Sequence, residues 1–244
     1  MKFSAAAVVT CFAVLVIAFV KRDDLPGDID YVATIVDEPQ QTETGRQPFD
    51  VSYRDNAYHI EPEFEYDLTG MVVSYRHHDG KSRMHRRAND HLNMLDVCVV
   101  WGDNTANPRL DRIDFWNGIF TCRFQSRDAK AWGAFDIYQI SNNHLLSDRE
   151  RIRDAVQSIR IGDQIRVRGY LATYSNEAGS RGTSTTRLDT GNGACETIYV
   201  EKFEILRAAT SYWRITMWLA LAGLLASLFV YFRQPYRPYA SEDD

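Results

Sequence analysis

Six histidines occur in the chain, and four of them, His77, His78, His85 and His91, fall within fifteen residues, interspersed with Asp79 and Asp90. Imidazole and carboxylate groups at that density could hold zinc or copper. The spacing matches no closed site, and Lys81, Arg83, Arg86 and Arg87 stand among the ligand types and would repel a cation. A solvated hairpin loop that meets a partner surface or lipid headgroups is the plainer reading. A second set is Cys98, Cys122 and Cys195. No CxxC is present, which argues against a redox enzyme or a zinc knuckle. In an oxidising compartment one disulfide would leave one odd thiol, with Cys122 bonded to either of the others. A third set lies on an alternating segment, where Arg166, Arg168, Tyr170 and Tyr174 share one face. Cations alternating with stacking groups suit single-stranded nucleic acid, and an exposed amphipathic strand face accounts for them as well. The last set is polar: Trp101, Asp103, Asn104, Asn117, Asn142, Asn143 and His144. A general base from Asp103 and His144 would need the fold to join them. Loop-tip Asn and Asp are usually turn formers.

The triplet Asp189-Thr190-Gly191 resembles the one carried by aspartic proteases, in which two carboxylates share a proton and activate water. The resemblance implies a catalytic Asp189, but the preceding Ser180 to Leu188 is polar rather than an apolar strand, and a single copy would require a homodimer. A turn between strands fits better. No Gly-rich phosphate loop, serine elbow or HExxH is present.

The elements that must position these groups lie between two apolar segments. Ser4 to Val20 is uncharged for seventeen residues and runs straight into Lys21-Arg22, without the small residues a signal peptidase cuts at. Ile215 to Phe232 is uncharged for eighteen, flanked by Tyr212, Trp213 and Tyr231 at interfacial depths and closed by Arg214 and Arg233. Two transmembrane helices are therefore expected, at 1–24 and 207–235, with a polar acidic tail at 236–244. Over 244 residues, 45% hydrophobic and 25% charged content indicates a folded chain, and a mean hydropathy of −0.36 excludes a polytopic transporter. A net charge of −5 gives no reason to expect duplex DNA as the main partner. The Lys/Arg counts flanking the spans nearly tie. The export-like first segment and the cysteines place the large loop outside the cytoplasm and both ends inside.

Within the loop, residues 25–65 carry ten acidic and two basic residues, Arg46 and Arg54, and read as an extended acidic linker. From 66 to 206 the pattern becomes regular. Strands are expected at Tyr66 to Arg76, Leu95 to Trp101 and Ile119 to Gln125, the last extended or partnered by Trp132 to Tyr138. Ser147 and Glu150 have capping-box spacing and open a helix whose stripe is Ile152, Ala155, Val156 and Ile159. Gln164 to Tyr174 and Glu196 to Leu206 complete the set.

A helix between the third and fourth of five strands, together with Gly162 to Leu171 (GDQIRVRGYL), resembles the OB-fold, a small Greek-key barrel. The fold expected is mainly β: an OB-like five-stranded barrel flanked by two transmembrane helices. Ile140 to Leu146 (ISNNHLL) and Asp189 to Glu196 (DTGNGACE) also resemble segments of bacterial membrane proteins. What the resemblance implies is a non-enzymatic binding or assembly module without a cofactor. It would sit in the bacterial inner membrane, its loop periplasmic, contacting the lipid bilayer and a protein or envelope ligand. A binder of single-stranded nucleic acid or oligosaccharide is the alternative, and an envelope hydrolase using Asp189 or a His-bound metal comes third.

Overall fold

The computed structural model describes residues 2–27, 29–78, 88–118, 120–186 and 195–233. The chain divides into two compact units, one formed by Met1–Asp24 with Thr210–Asp244, the other by Leu25–Ala209.

In the first unit, helix α1 (Lys2–Lys21) packs along a second helix, Tyr212–Arg233. Small residues permit the approach: a Cβ built on Gly223 would sit 3.2 Å from Cys11 Sγ, and Ala18 and Ala220 are buried. The Ser211 hydroxyl donates to the Arg22 carbonyl at 3.2 Å, and Arg214 Nη2 lies 3.3 Å from Asp23, which ties the two helix ends together. Tyr212–Arg233 is long and apolar enough to cross a membrane, 22 residues giving about 33 Å at 1.5 Å each. The described apolar stretch of α1, Ala5–Lys21, is shorter. Of the two expected spans, only the C-terminal one meets the length criterion among the described residues.

The second unit is mainly β, built on a large mixed sheet. Its elements in chain order begin with strands β1 (Gln40–Glu43), β2 (Phe49–Tyr53), β3 (Asn56–His77) and β4 (Asn93–Val100), followed by a one-turn helix α2 (Asp103–Ala106). Strands β5 (Asp114–Asn117) and β6 (Cys122–Gln125), helix α3 (Ala129–Gly133), β7 (Ile140–Leu146) and helix α4 (Glu150–Gln157) come next. Strands β8 (Gln164–Asn176), β9 (Gly179–Arg181) and β10 (Glu196–Arg207) close the unit, and the membrane-compatible helix Tyr212–Arg233 becomes α5.

Pairings run β3 with β4, β4 with β7, β7 with β10, β10 with β8, and β8 back to β3. All are antiparallel except β7 with β10. The long β3 serves two partners because register shifts at Pro62/Phe64 and Val72/Ser74 bend it: residues 59–71 pair with β8 and residues 71–77 with β4. The ring encloses Leu68, Val97, Val99, Leu145, Val167 and Ile198, all fully buried. Burying each such side chain stabilises the fold by about 1.5–3 kcal/mol. Ile152 and Val156 of α4 join the same cluster, as does Ile159 two residues past the helix end, whereas Ala155 of the expected stripe does not.

Four local expectations change. Residues 40–65, read as a linker, contain β1, β2 and the first half of β3. Glu61, Glu63 and Glu65 alternate with Ile60, Phe64 and Tyr66, so the charge count concealed a period-two strand with one wet face. Trp132 to Tyr138 is not a strand, because Asp128 accepts from the amides of Lys130 (2.9 Å) and Ala131 (3.1 Å) and caps α3. The third strand of the ring is Ile140–Leu146, while the expected one is reduced to β6 in a separate two-stranded sheet with β5. Adjacent asparagines, poor strand formers, disguised β7. The capping box does not form: α4 starts at Glu150 with Arg149 at the N-cap and no side-chain cap bond, and Ser147 is buried, accepting instead from the Arg149 amide at 3.3 Å.

Candidate functional site: a surface groove and a buried carboxylate

The arginine face of β8 exists, but its charges are taken. Arg166 makes a bidentate contact with Asp67 on β3, Nε to Oδ1 at 2.8 Å and Nη2 to Oδ2 at 2.6 Å, and those hydrogen bonds raise its pKa. Arg168 Nη2 reaches Glu204 Oε2 at 3.3 Å, and Lys202 Nζ lies 2.8 Å from the same carboxylate and, with its hydrogen bond, lowers the Glu204 pKa. Tyr170 stays on this face beside an open groove of about 510 Å³, bordered by Arg149, Arg168, Glu201 and Lys202. Tyr174 leaves it. Beyond Leu171 the inward phase of β8 switches, Ala172 and Tyr174 are buried, and the Tyr174 hydroxyl donates to both Asp90 oxygens at 3.1 Å. Burial, reinforced by the Asp90 charge, pushes that phenol well above its ordinary pKa.

Of the described candidate histidines, His77 and His91 have separate surroundings, and His78 turns to Asp96. His85, like Asp189, lies outside the described residues. His77 stacks edge-on against Tyr75 with its pKa lowered by burial, and the His91 amide donates to the Tyr58 hydroxyl at 3.0 Å. Among the described residues no group of three His, Cys, Asp or Glu could hold a metal. Asn104 is not at a loop tip but buried on α2, its amide donating to the carbonyls of Asp136 (2.8 Å) and Gln139 (3.1 Å). Asp103 sits on α2, and the carboxylate that meets His144 is another one.

That carboxylate is Asp96, fully buried in the middle of β4. Register places it directly opposite His144 on β7. His144 Nδ1 lies 2.5 Å from Asp96 Oδ1, His78 Nε2 lies 2.8 Å from Oδ2, and the Asn93 amide donates to Oδ1 at 3.2 Å. Burial alone would raise the Asp96 pKa, but hydrogen bonds from His144 and His78 outweigh it and hold the group well below the usual carboxylate range. Burial would likewise lower His144, yet its hydrogen bonds to Asp96 and to Cys195 prevail and push it up to about 10.

Cys98 and Cys122 are joined by a disulfide, with Cα atoms 5.8 Å apart, so Cys195 is the odd thiol of this unit. It lies just ahead of β10, where parallel pairing sets Glu196 opposite Asn143. The Asn142 amide donates to Cys195 Sγ at 3.3 Å and to the Phe120 carbonyl at 3.1 Å, and the thiol itself donates to that carbonyl at 3.6 Å. The edge of the Phe120 ring stands against His144, centroids 5.7 Å apart. No protein-family model matches the chain, and no curated protein matches it either. The functional reading therefore rests on these residues. Sequence reasoning missed this cluster because its members lie on separate strands, and the one available signal was an aspartate inside the apolar run LDVCVVW.

Proposed function

We propose that the chain is a membrane-anchored binding module, in which an OB-type barrel outside the cytoplasm presents the β8 groove to a protein or envelope ligand. The observation that supports this reading is the ring of pairings β3-β4-β7-β10-β8, with α4 between β7 and β8 in the chain, the order expected of an OB barrel. In this reading α1 is the second membrane anchor, and both ends of the chain are cytoplasmic. A groove lined by both charge signs and by Tyr66 and Tyr170 suits a zwitterionic or mixed-charge ligand. A polyphosphate backbone would have to displace Asp67 from Arg166 and Glu204 from Arg168, which disfavours single-stranded nucleic acid. The disulfide fits an oxidising compartment.

The test is topology. In intact cells carrying the Cys11→Ser chain, a membrane-impermeant maleimide is expected to label Cys195 without reduction, with Cys98 and Cys122 labelled only after reduction and unfolding. Labelling confined to broken cells would put the domain in the cytoplasm and end the envelope reading.

A further inference from the structure

We propose that the β8 groove is a site for the phosphoethanolamine group, its ammonium held by Glu65 beside Tyr170 and its phosphate by Arg168 and Lys202. The inference rests on the reading of that groove as the ligand site and names the ligand's chemistry. Register sets out the face in two rows, because directly paired residues of neighbouring strands present their side chains on the same side. One row is Thr42 on β1, Glu65 on β3 and Tyr170 on β8. The other is Gln40 on β1, Asp67 on β3, Arg168 on β8 and Lys202 on β10. The rows lie two residues apart along β3 and β8, about 7 Å. A small ligand that meets both rows carries its opposite charges at the two ends of a short chain. Phosphoethanolamine does so, whereas the charges of a free glycine-type amino acid sit too close together.

The two rows commit their charges unequally. Among the described residues the Glu65 carboxylate has no ion pair or hydrogen bond, whereas Asp67 is engaged by Arg166. Glu201 also lines the groove, and its contact with Arg149, 3.4 Å and exposed to water, is easily exchanged. Burial raises the Tyr170 pKa, and the negative charges of Glu201 and Glu65 add to the rise. Arg46 opposes them, but its guanidinium lies over the Phe49 ring, 4.9 Å from the centroid. In the second row two cations share one carboxylate: Arg168 Nη2 lies 3.3 Å from Glu204 and Lys202 Nζ lies 2.8 Å from it. That leaves one positive charge in excess. The Nε of Arg168 is buried without a hydrogen-bond partner, a donor that an anionic oxygen would satisfy once the side chain turns from Glu204. A single phosphate can take Arg168 while Lys202 keeps Glu204, which a polyphosphate chain laid across every pair cannot do. The cationic end is a primary ammonium, because its N–H groups suit carboxylates and the Thr42 hydroxyl. A quaternary ammonium has no N–H and needs several aromatic faces, and Tyr66, the second tyrosine of the groove, is only 2% exposed.

The experiment is isothermal titration of the full chain in maltoside micelles with O-phosphoethanolamine, phosphocholine, inorganic phosphate and ethanolamine. O-Phosphoethanolamine is expected to bind about tenfold tighter than each of the others, since each lacks one set of charge-assisted hydrogen bonds. Glu65→Gln should remove that margin without weakening inorganic phosphate. Arg168→Gln should weaken both phosphates about tenfold. The Glu65 side chain is exposed, so its variant should melt with the unaltered chain, which separates lost binding from lost fold. If either variant does not fold, the preference of the unaltered chain for phosphoethanolamine over phosphocholine decides alone. Nanodiscs distinguish the source of the group. Competition between phosphatidylethanolamine in the disc and the soluble compound assigns the site to the lipid headgroup, and its absence assigns it to a soluble phosphoethanolamine compound. Equal affinity for phosphoethanolamine and phosphocholine, a margin that survives Glu65→Gln, or no saturable binding below about 10 mM would overturn the proposal. Inorganic phosphate binding as tightly as phosphoethanolamine would also overturn it, while leaving the groove a ligand site. The side of the membrane plays no part in micelles, so the maleimide labelling tests the envelope reading separately.

Discussion

The outer face of β8 and the outer face of β4 and β7 carry similar groups to opposite effect. On β8, Arg166 meets Asp67 and Arg168 meets Glu204 with every side chain about a third exposed. On β4 and β7, Asp96 meets His144 and His78 with the carboxylate wholly removed from water. Water screens the first set, so each pair contributes little and can be exchanged for a ligand. The second set has no water to fall back on, so its members are held in one geometry and their protonation is fixed by one another. The comparison leaves the groove's ion pairs exchangeable and the cluster's geometry fixed.

The largest effect that would sharpen this contrast is truncation of the buried carboxylate. Asp96→Ala leaves two buried imidazoles without their acceptor and is expected to destabilise the domain by about 3–5 kcal/mol, measured by denaturant unfolding of the full chain in micelles. The contrast breaks if Asp67→Ala costs as much. Next comes pH. His144 is raised from 6.5 to about 10, so its stabilisation is complete below about 6.5 and is lost as pH climbs through 10. Asp96 is lowered from 3.8, so its stabilisation is present above 3.8 and is lost as pH falls below that value. Both describe one contact, and together they give a stability maximum between about 4 and 6.5. Thermal melts across pH 4–10 should show the alkaline decline in the unaltered chain and a flattened one in Asp96→Asn.

The same contrast explains what could be seen in the sequence. The arginine face was legible because period-two alternation is local: GDQIRVRGYL displays its inward and outward residues within ten positions. Its continuation to Tyr174 was not, since the phase switch after Leu171 follows from β3, whose register shift at Pro62/Phe64 is set by a strand a hundred residues away. Apart from Ala155, the α4 stripe was legible for the same local reason, and the pairing partner of Cys122 was narrowed to two. The cluster was hidden because Asp96 and His144 are 48 residues apart and meet only through the β4–β7 register. Asp103, adjacent in type and nearer in sequence, was the wrong carboxylate because α2 carries it off the sheet.

A smaller effect tests the floor of the groove. Gly169 lies where β8 pairs with β10 so closely that a Cβ would collide with the Tyr199 carbonyl oxygen, backbone that cannot yield as a side chain would. Gly169→Ala should therefore force the strands apart and cost about 1–3 kcal/mol, with faster amide exchange in β8 and β10. An unchanged exchange pattern would show the two strands to be less tightly paired than their register implies.

The smallest effect is expected where the sequence pattern was clearest. The Arg166 side chain is 38% exposed, so removing its bidentate contact with Asp67 returns both groups to solvent rather than stranding a charge. Arg166→Ala should cost only about 0.2–1 kcal/mol at low salt, with the difference shrinking as salt is raised, because exposed pairs are screened within about 10 Å at 0.1 M. A double-mutant cycle with Asp67→Ala isolates the pair. A coupling that survives high salt would mean that the contact is shielded from water and that the groove is as fixed as the cluster. A coupling that fades leaves Asp67 and Arg166 free to separate for an incoming ligand, which a binding groove requires.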